Sequence, residues 1–175
     1  TGSKILNSVD HSSDHEFATY LATQAGKYLV ELRNDLVARG FYGWDLKDAG
    51  DAMAQEFLMS QLREFRPNDA VLSEEALDTT KRLSAERVWI IDPLDGTQEF
   101  SEPDRSDWAV HVGLSVNGEA SLGAVALPGL GTTLSPLTPM LLQPANRPLK
   151  MLVSRTRPAA EAVAVAEYMG AELLP

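Results

Sequence analysis

Apolar residues recur at helical spacing near the start of the chain. Phe17, Tyr20, Leu21, Ala25, Leu29, Leu32 and Leu36 fall on one stripe, which predicts a helix from about Asp14 to Arg39. Ser13-Asp14-His15-Glu16 supplies its start, with serine as N-cap and glutamate three residues on. In that pattern each side chain satisfies the other's backbone donor. Gly40 supplies the stop. A second stripe of Met53, Phe57, Leu58, Leu62 and Phe65 predicts another helix from Asp51 to Phe65.

Beyond Phe65 the period changes. Ala70-Val71-Leu72-Ser73 and Val88-Trp89-Ile90-Ile91 are short apolar runs that each stop at acidic residues, and both read as buried strands. Trp108 to Val116 and Ala120 to Leu127 flank Asn117-Gly118, a dipeptide that favours a tight hairpin turn. Pro128 to Pro148 is rich in proline, glycine and threonine, which predicts a long loop. Met151 to Ser154 reads as another strand. Ala159 to Met169 reads as a helix stopped by Gly170. In an α/β protein a further strand is expected next, and the sequence reaches Pro175 first. The order of elements predicts an α/β, or layered α+β, fold in a single domain over residues 1–175.

Composition narrows the function classes. The chain has 175 residues and a formal net charge of -10, which argues against a nucleic-acid polymer or an anionic membrane as partner. An anionic small molecule stays possible, because carboxylates hold divalent cations and the cations hold the anion. There is no cysteine, so disulfides, thiolate zinc sites and cysteine nucleophiles are excluded. That composition fits a cytoplasmic protein. No apolar run approaches a membrane span in length.

The chemistry concentrates in Trp89-Ile90-Ile91-Asp92-Pro93-Leu94-Asp95-Gly96-Thr97. Two carboxylates lie three residues apart just past a predicted strand, with a proline between them. Pro93 restricts itself and Asp92 to extended geometry, so a turn here can aim both side chains and the Leu94 carbonyl into one volume. Hard cations such as magnesium take this all-oxygen set. Gly96 lets backbone approach a ligand closely. If a helix starts there, the Gly96 and Thr97 amides form a phosphate cradle, and the Thr97 hydroxyl can orient a water. Glu74-Glu75 ends another predicted strand, where α/β sheets place ligands. Asp51 opens the second predicted helix. Taken singly, each has a plain explanation: a turn, a solvated helix start, a helix N-terminal residue. The functional reading rests on their occurring together. His111, within a predicted strand, reads as a packed or hydrogen-bonded histidine, and Trp89 and Trp108 read as core.

Leu72-Ser73-Glu74-Glu75 followed by the Trp89 to Thr97 segment resembles the paired metal-site motifs of the inositol monophosphatase superfamily, from the first helix to the end of the chain. Lys47-Asp48-Ala49-Gly50-Asp51, Phe100-Ser101 and Asp107-Trp108-Ala109-Val110-His111 resemble its actinobacterial 3'(2'),5'-bisphosphate nucleotidase branch. The resemblance implies a sugar-phosphatase fold and a lithium-sensitive hydrolase that acts on 3'-phosphoadenosine 5'-phosphate in sulfate assimilation. It implies two or three magnesium ions held by Glu74, Asp92, the Leu94 carbonyl and Asp95. It implies Asp51 and Thr97 as the pair that polarises water, Gly96 and Thr97 as phosphate holders, and a possible homodimer. The family also carries a further metal-binding aspartate in a later Trp-Asp-x-Ala-type motif that this sequence does not reach, so an active site incomplete within these residues is expected. Two alternatives stay open: inositol monophosphate or fructose 1,6-bisphosphate as substrate, and a non-catalytic metal-binding or interaction domain.

Overall fold

The structure is a computed structural model and describes residues 13–77, 79–141 and 148–175. These fall into two compact units, Thr1–Pro139 and Met140–Pro175.

In the first unit, helix α1 (Asp14–Ala38) begins at the expected capping box. The Ser13 hydroxyl accepts from the Glu16 amide, and the Glu16 carboxylate answers at the N-cap. Helix α2 (Gly43–Phe65) starts earlier than the apolar stripe predicts, so Asp51 lies well inside a helix rather than at its N-terminus. The reason is Gly50. Glycine usually weakens a helix, but here it sits against Leu94 and Phe100. A Cβ at Gly50 would lie 2.6 Å from Phe100 Cε1 and 2.9 Å from Leu94 Cδ2. Tertiary packing selects the glycine.

Strands β1 (Ala70–Ser73), β2 (Arg87–Asp95), β3 (Ala109–Val116), β4 (Glu119–Leu127) and β5 (Thr132–Leu134) form one sheet in that order. β1 and β2 are parallel and the other neighbours antiparallel. The Asn117-Gly118 turn joins β3 to β4 with positive φ at both residues, 52° and 80°, as a mirror-image hairpin turn requires. β5 and a short 3-10 turn at Pro128–Leu130 occupy part of the predicted loop. Residues 142–147 of that loop lie outside the described residues.

One face of the sheet packs against the helices. Phe17, Leu21, Leu29, Leu58 and Leu62 meet Trp89, Ile91, Val110, Val112 and Ala124 in one buried cluster. Alternation along β2 sends Val88, Ile90 and Asp92 to the opposite face, where Ile90 is 45% exposed. At the end of the sheet away from Asp92, two arginines fix both helices to the strands. Asp14 pairs with Arg66 at 3.1 Å and with Arg87 at 2.9 Å. Asp69 accepts from Arg87 at 3.1 Å and from the Trp89 indole at 2.8 Å.

In the second unit, β6 (Lys150–Leu152) pairs in parallel with β7 (Glu172–Leu174) across α4 (Ala160–Met169). A strand does follow the last helix, then. Gly170, at φ 61°, turns the chain out of α4, and the Ala171 amide returns to the Ala166 carbonyl at 2.8 Å. Among the described residues no helix is long and apolar enough to cross a membrane.

Candidate metal centre

Parallel pairing puts the carboxyl ends of β1 and β2 side by side. Ser73 is in register with Ile91, and the Glu74 amide donates to the Ile91 carbonyl at 3.3 Å, so Glu74 and Asp92 are neighbours at one sheet end. Ser73 is buried; its hydroxyl donates to Gln55 Oε1 at 2.7 Å and accepts from the Glu75 amide at 3.3 Å. This ties the acidic turn to α2.

β2 does not stop at Asp92. It runs on to Asp95 through a register shift against β3 between those two residues. Proline in a strand is confined to such irregular places, and Pro93 and Leu94 are buried there. The bulge re-aims the side chains. Oxygens of Asp92 and Asp95 and a ring nitrogen of His111 lie within 4.8 Å of one another. His111 faces Asp92 in the β2–β3 register, and its Nε2 stands 3.1 Å from Asp95 Oδ2. The Glu74 carboxylate is not a member of that group, though its charge is felt at Asp92. Glu74, Asp92 and His111 share the wall of an open depression of about 400 Å³.

After Asp95 the chain turns at Gly96, with φ 82°. Only glycine tolerates that angle easily, and a Cβ there would also lie 3.1 Å from the Asp107 carbonyl oxygen. A single helical turn, α3 (Thr97–Phe100), follows. The Thr97 hydroxyl lies 3.1 Å from the Leu94 carbonyl and 3.4 Å from Asp51 Oδ1, so α2 and the bulge meet at Asp51. Behind them Phe100 packs edge-on to Trp108 with ring centroids 5.1 Å apart. Arg33 donates to the Arg105 carbonyl at 2.9 Å and to that of Glu102, holding the loop after α3.

The electrostatics are those of crowded anions. Burial, then the charges of Glu74 and Asp95, push the Asp92 carboxyl up to about 6; His111 and the Leu94 amide pull only partly against this. Burial, then the charge of Glu75, push Asp51 up to about 6 against the Thr97 hydrogen bond. Carboxylates raised by burial and, after it, by mutual repulsion fit a divalent cation, whose charge offsets both. The donors are oxygens apart from one imidazole, as hard cations prefer.

Acidic residues at the ends of adjacent strands, with a glycine turn and a hydroxyl–carboxylate pair beside them, define a candidate divalent-cation site on an α/β sheet. The chain belongs to the inositol monophosphatase family, whose family model matches residues 10–167. It is 47% identical over 146 residues to a protein of Mycobacterium tuberculosis named 3'-phosphoadenosine 5'-phosphate phosphatase, covering 78% of this chain and 54% of that one. The protein of the same name from Mycobacterium leprae is 49% identical over 132 residues, covering 68% and 46%. The chain thus spans about half the length of the curated relatives it matches. In fold it is similar to SaIMPase-II solved with 2'AMP bound, at a TM-score of 0.68 and 22% identity over 90% of this chain and 64% of that one.

The structure brings Asp92, Asp95, Gly96, Thr97 and Asp51 to one end of the sheet, with the Leu94 carbonyl turned to Thr97 and Glu74 just past the end of β1. Three contributors had no functional reading in the sequence. Gly50 stood just before the predicted helix start at Asp51, and Ser73 only closed a predicted strand. His111 offered only its place in a strand, and its pairing with Asp92 depends on the β2–β3 register.

Proposed function

We propose that the protein is a magnesium-dependent phosphomonoesterase that hydrolyses 3'-phosphoadenosine 5'-phosphate to AMP and phosphate, working as a cytoplasmic enzyme. The observation that carries this reading is the convergence of the Asp92–Asp95 cluster and the Asp51–Thr97 pair on one sheet end. The identity to relatives named for that reaction supports the choice of substrate. Glu74, Asp92, the Leu94 carbonyl and Asp95 are the residues that would hold two or three magnesium ions. When bound, magnesium supplies charge neutralisation for the phosphate and acidifies water.

The remaining work falls to the chain's own groups. Asp51, which the Thr97 hydroxyl faces at 3.4 Å, is the carboxylate placed to take a proton. Thr97 is its relay: the hydroxyl can donate to Asp51 while its oxygen accepts from a water. Holding Thr97 between α2 and the Leu94 carbonyl fixes the orientation in advance. The Gly96 and Thr97 amides hold the phosphate. The half-exposed acidic rim repels free anions, so substrate affinity depends on the cation.

The test is phosphate release by the complete natural chain from 3'-phosphoadenosine 5'-phosphate, inositol 1-phosphate and fructose 1,6-bisphosphate, with and without magnesium. Preference for the adenosine bisphosphate supports the proposal. Preference for another substrate keeps the metal chemistry and discards the nucleotide specificity. Cation binding without turnover of any of the three points to a non-catalytic metal-binding domain.

A further inference from the structure

His111 is placed to do more than pack. It occupies the β3 position opposite Asp92, on the sheet face that the helices leave open, and stands 3.1 Å from Asp95. Its side chain is 43% exposed and that of Asp95 is 60% exposed. A pair so open to water contributes little by itself and does not explain why a ring should point at two carboxylates. A shared ion does. Donors around a six-coordinate cation with arms of about 2.1 Å lie about 3.0 Å apart in cis and about 4.2 Å in trans. The His111–Asp95 separation is that of a cis pair. The full set of three donors, all within 4.8 Å, reaches the same envelope after a small rotation of half-exposed side chains.

We propose that His111 is a nitrogen ligand of the metal centre, so that Asp92, Asp95 and His111 form a mixed oxygen–nitrogen subsite that takes a borderline divalent ion more firmly than magnesium. The inference rests on the reading of the carboxylate cluster as a cation site. Magnesium and calcium prefer oxygen, whereas imidazole suits later first-row ions, and affinity for a given nitrogen- and oxygen-donor site rises from manganese through cobalt and nickel. The three-donor subsite therefore discriminates between ions more sharply than an all-carboxylate site. The neutral ring must present Nε2 to the ion, which leaves its proton on Nδ1.

Cobalt(II) is the probe, read by proton NMR and by calorimetry on the complete natural chain. Direct ligation shifts an exchangeable imidazole N–H resonance far outside the diamagnetic range. That resonance is expected in the wild type and lost in His111→Ala, with cobalt affinity lowered about tenfold or more and magnesium affinity changed far less. Should His111→Ala fail to fold, His111→Gln, which keeps a polar side chain but has no imidazole N–H, must lose the same shifted resonance. Cobalt that binds, and is weakened by Asp92→Asn, but gives no shifted imidazole resonance and the same affinity in His111→Ala would overturn the inference while leaving the metal centre intact. Cobalt binding indifferent to Asp92→Asn would overturn both.

Discussion

The Thr97 hydroxyl stands 3.4 Å from the Asp51 carboxylate across 46 positions of sequence. Neither residue is informative alone. Together they join the middle of α2 to the first turn after the bulge, beside the carboxylates that gather at Asp92. If this pair handles the proton, Thr97→Ala lowers kcat by about a hundredfold, while Thr97→Ser, which keeps the hydroxyl, recovers most of it. Magnesium affinity, read by calorimetry, changes little in either variant. Equal losses in both would assign Thr97 a packing role instead.

Gly50 sets how close α2 comes to the site. Phe100 is fully buried and wedged against Trp108, so it cannot yield to a methyl group 2.6 Å away. Gly50→Ala should therefore push the helix outward despite alanine's better helix propensity. The expected cost is about 1–3 kcal/mol in denaturant unfolding, with a fall in activity because Asp51 moves with the helix. A stabilised Gly50→Ala would contradict this packing.

Asp92 gives the metal-free protein a defined pH dependence. Its carboxyl is raised from 3.8 to about 6 in the folded chain, so the folded state holds the proton more tightly than the unfolded state does. The stability this provides is fully present below 3.8 and is lost as pH rises through about 6. Asp92→Asn removes the charge. Above that range the metal-free variant should be more stable than the wild type by about 1 kcal/mol, once solvent screening is allowed for. Added magnesium should stabilise the wild type and barely move the variant. Thermal unfolding with and without magnesium reads both effects.

The sequence carried the local signals well. The Ser13 capping box, the Asn117-Gly118 turn and the strand leading to Asp92 are decided by neighbours in the chain, and all three form as expected. What escaped depends on distant contacts. Gly50 looks like a helix boundary until Phe100 and Leu94 are placed against it, so the start of α2 and the setting of Asp51 inside it are not legible from the local sequence. Pro93 looks like a strand end until the β2–β3 pairing resumes at Asp95 beyond a bulge. β5 is three residues long and has too little pattern to stand out from a loop rich in glycine and threonine. His111 becomes informative only through its register with Asp92. The acidic motifs were legible because metal binding needs particular residue types, whereas the packing that aims them needs only the right shape.

The most direct test compares magnesium-dependent phosphate release from 3'-phosphoadenosine 5'-phosphate by the complete natural chain and by its Asp92→Asn variant. The account predicts release that requires magnesium in the wild type and falls by about a hundredfold or more in the variant, although the metal-free variant is the more stable protein. Undiminished turnover by Asp92→Asn would contradict the assignment of this carboxylate cluster as the metal centre.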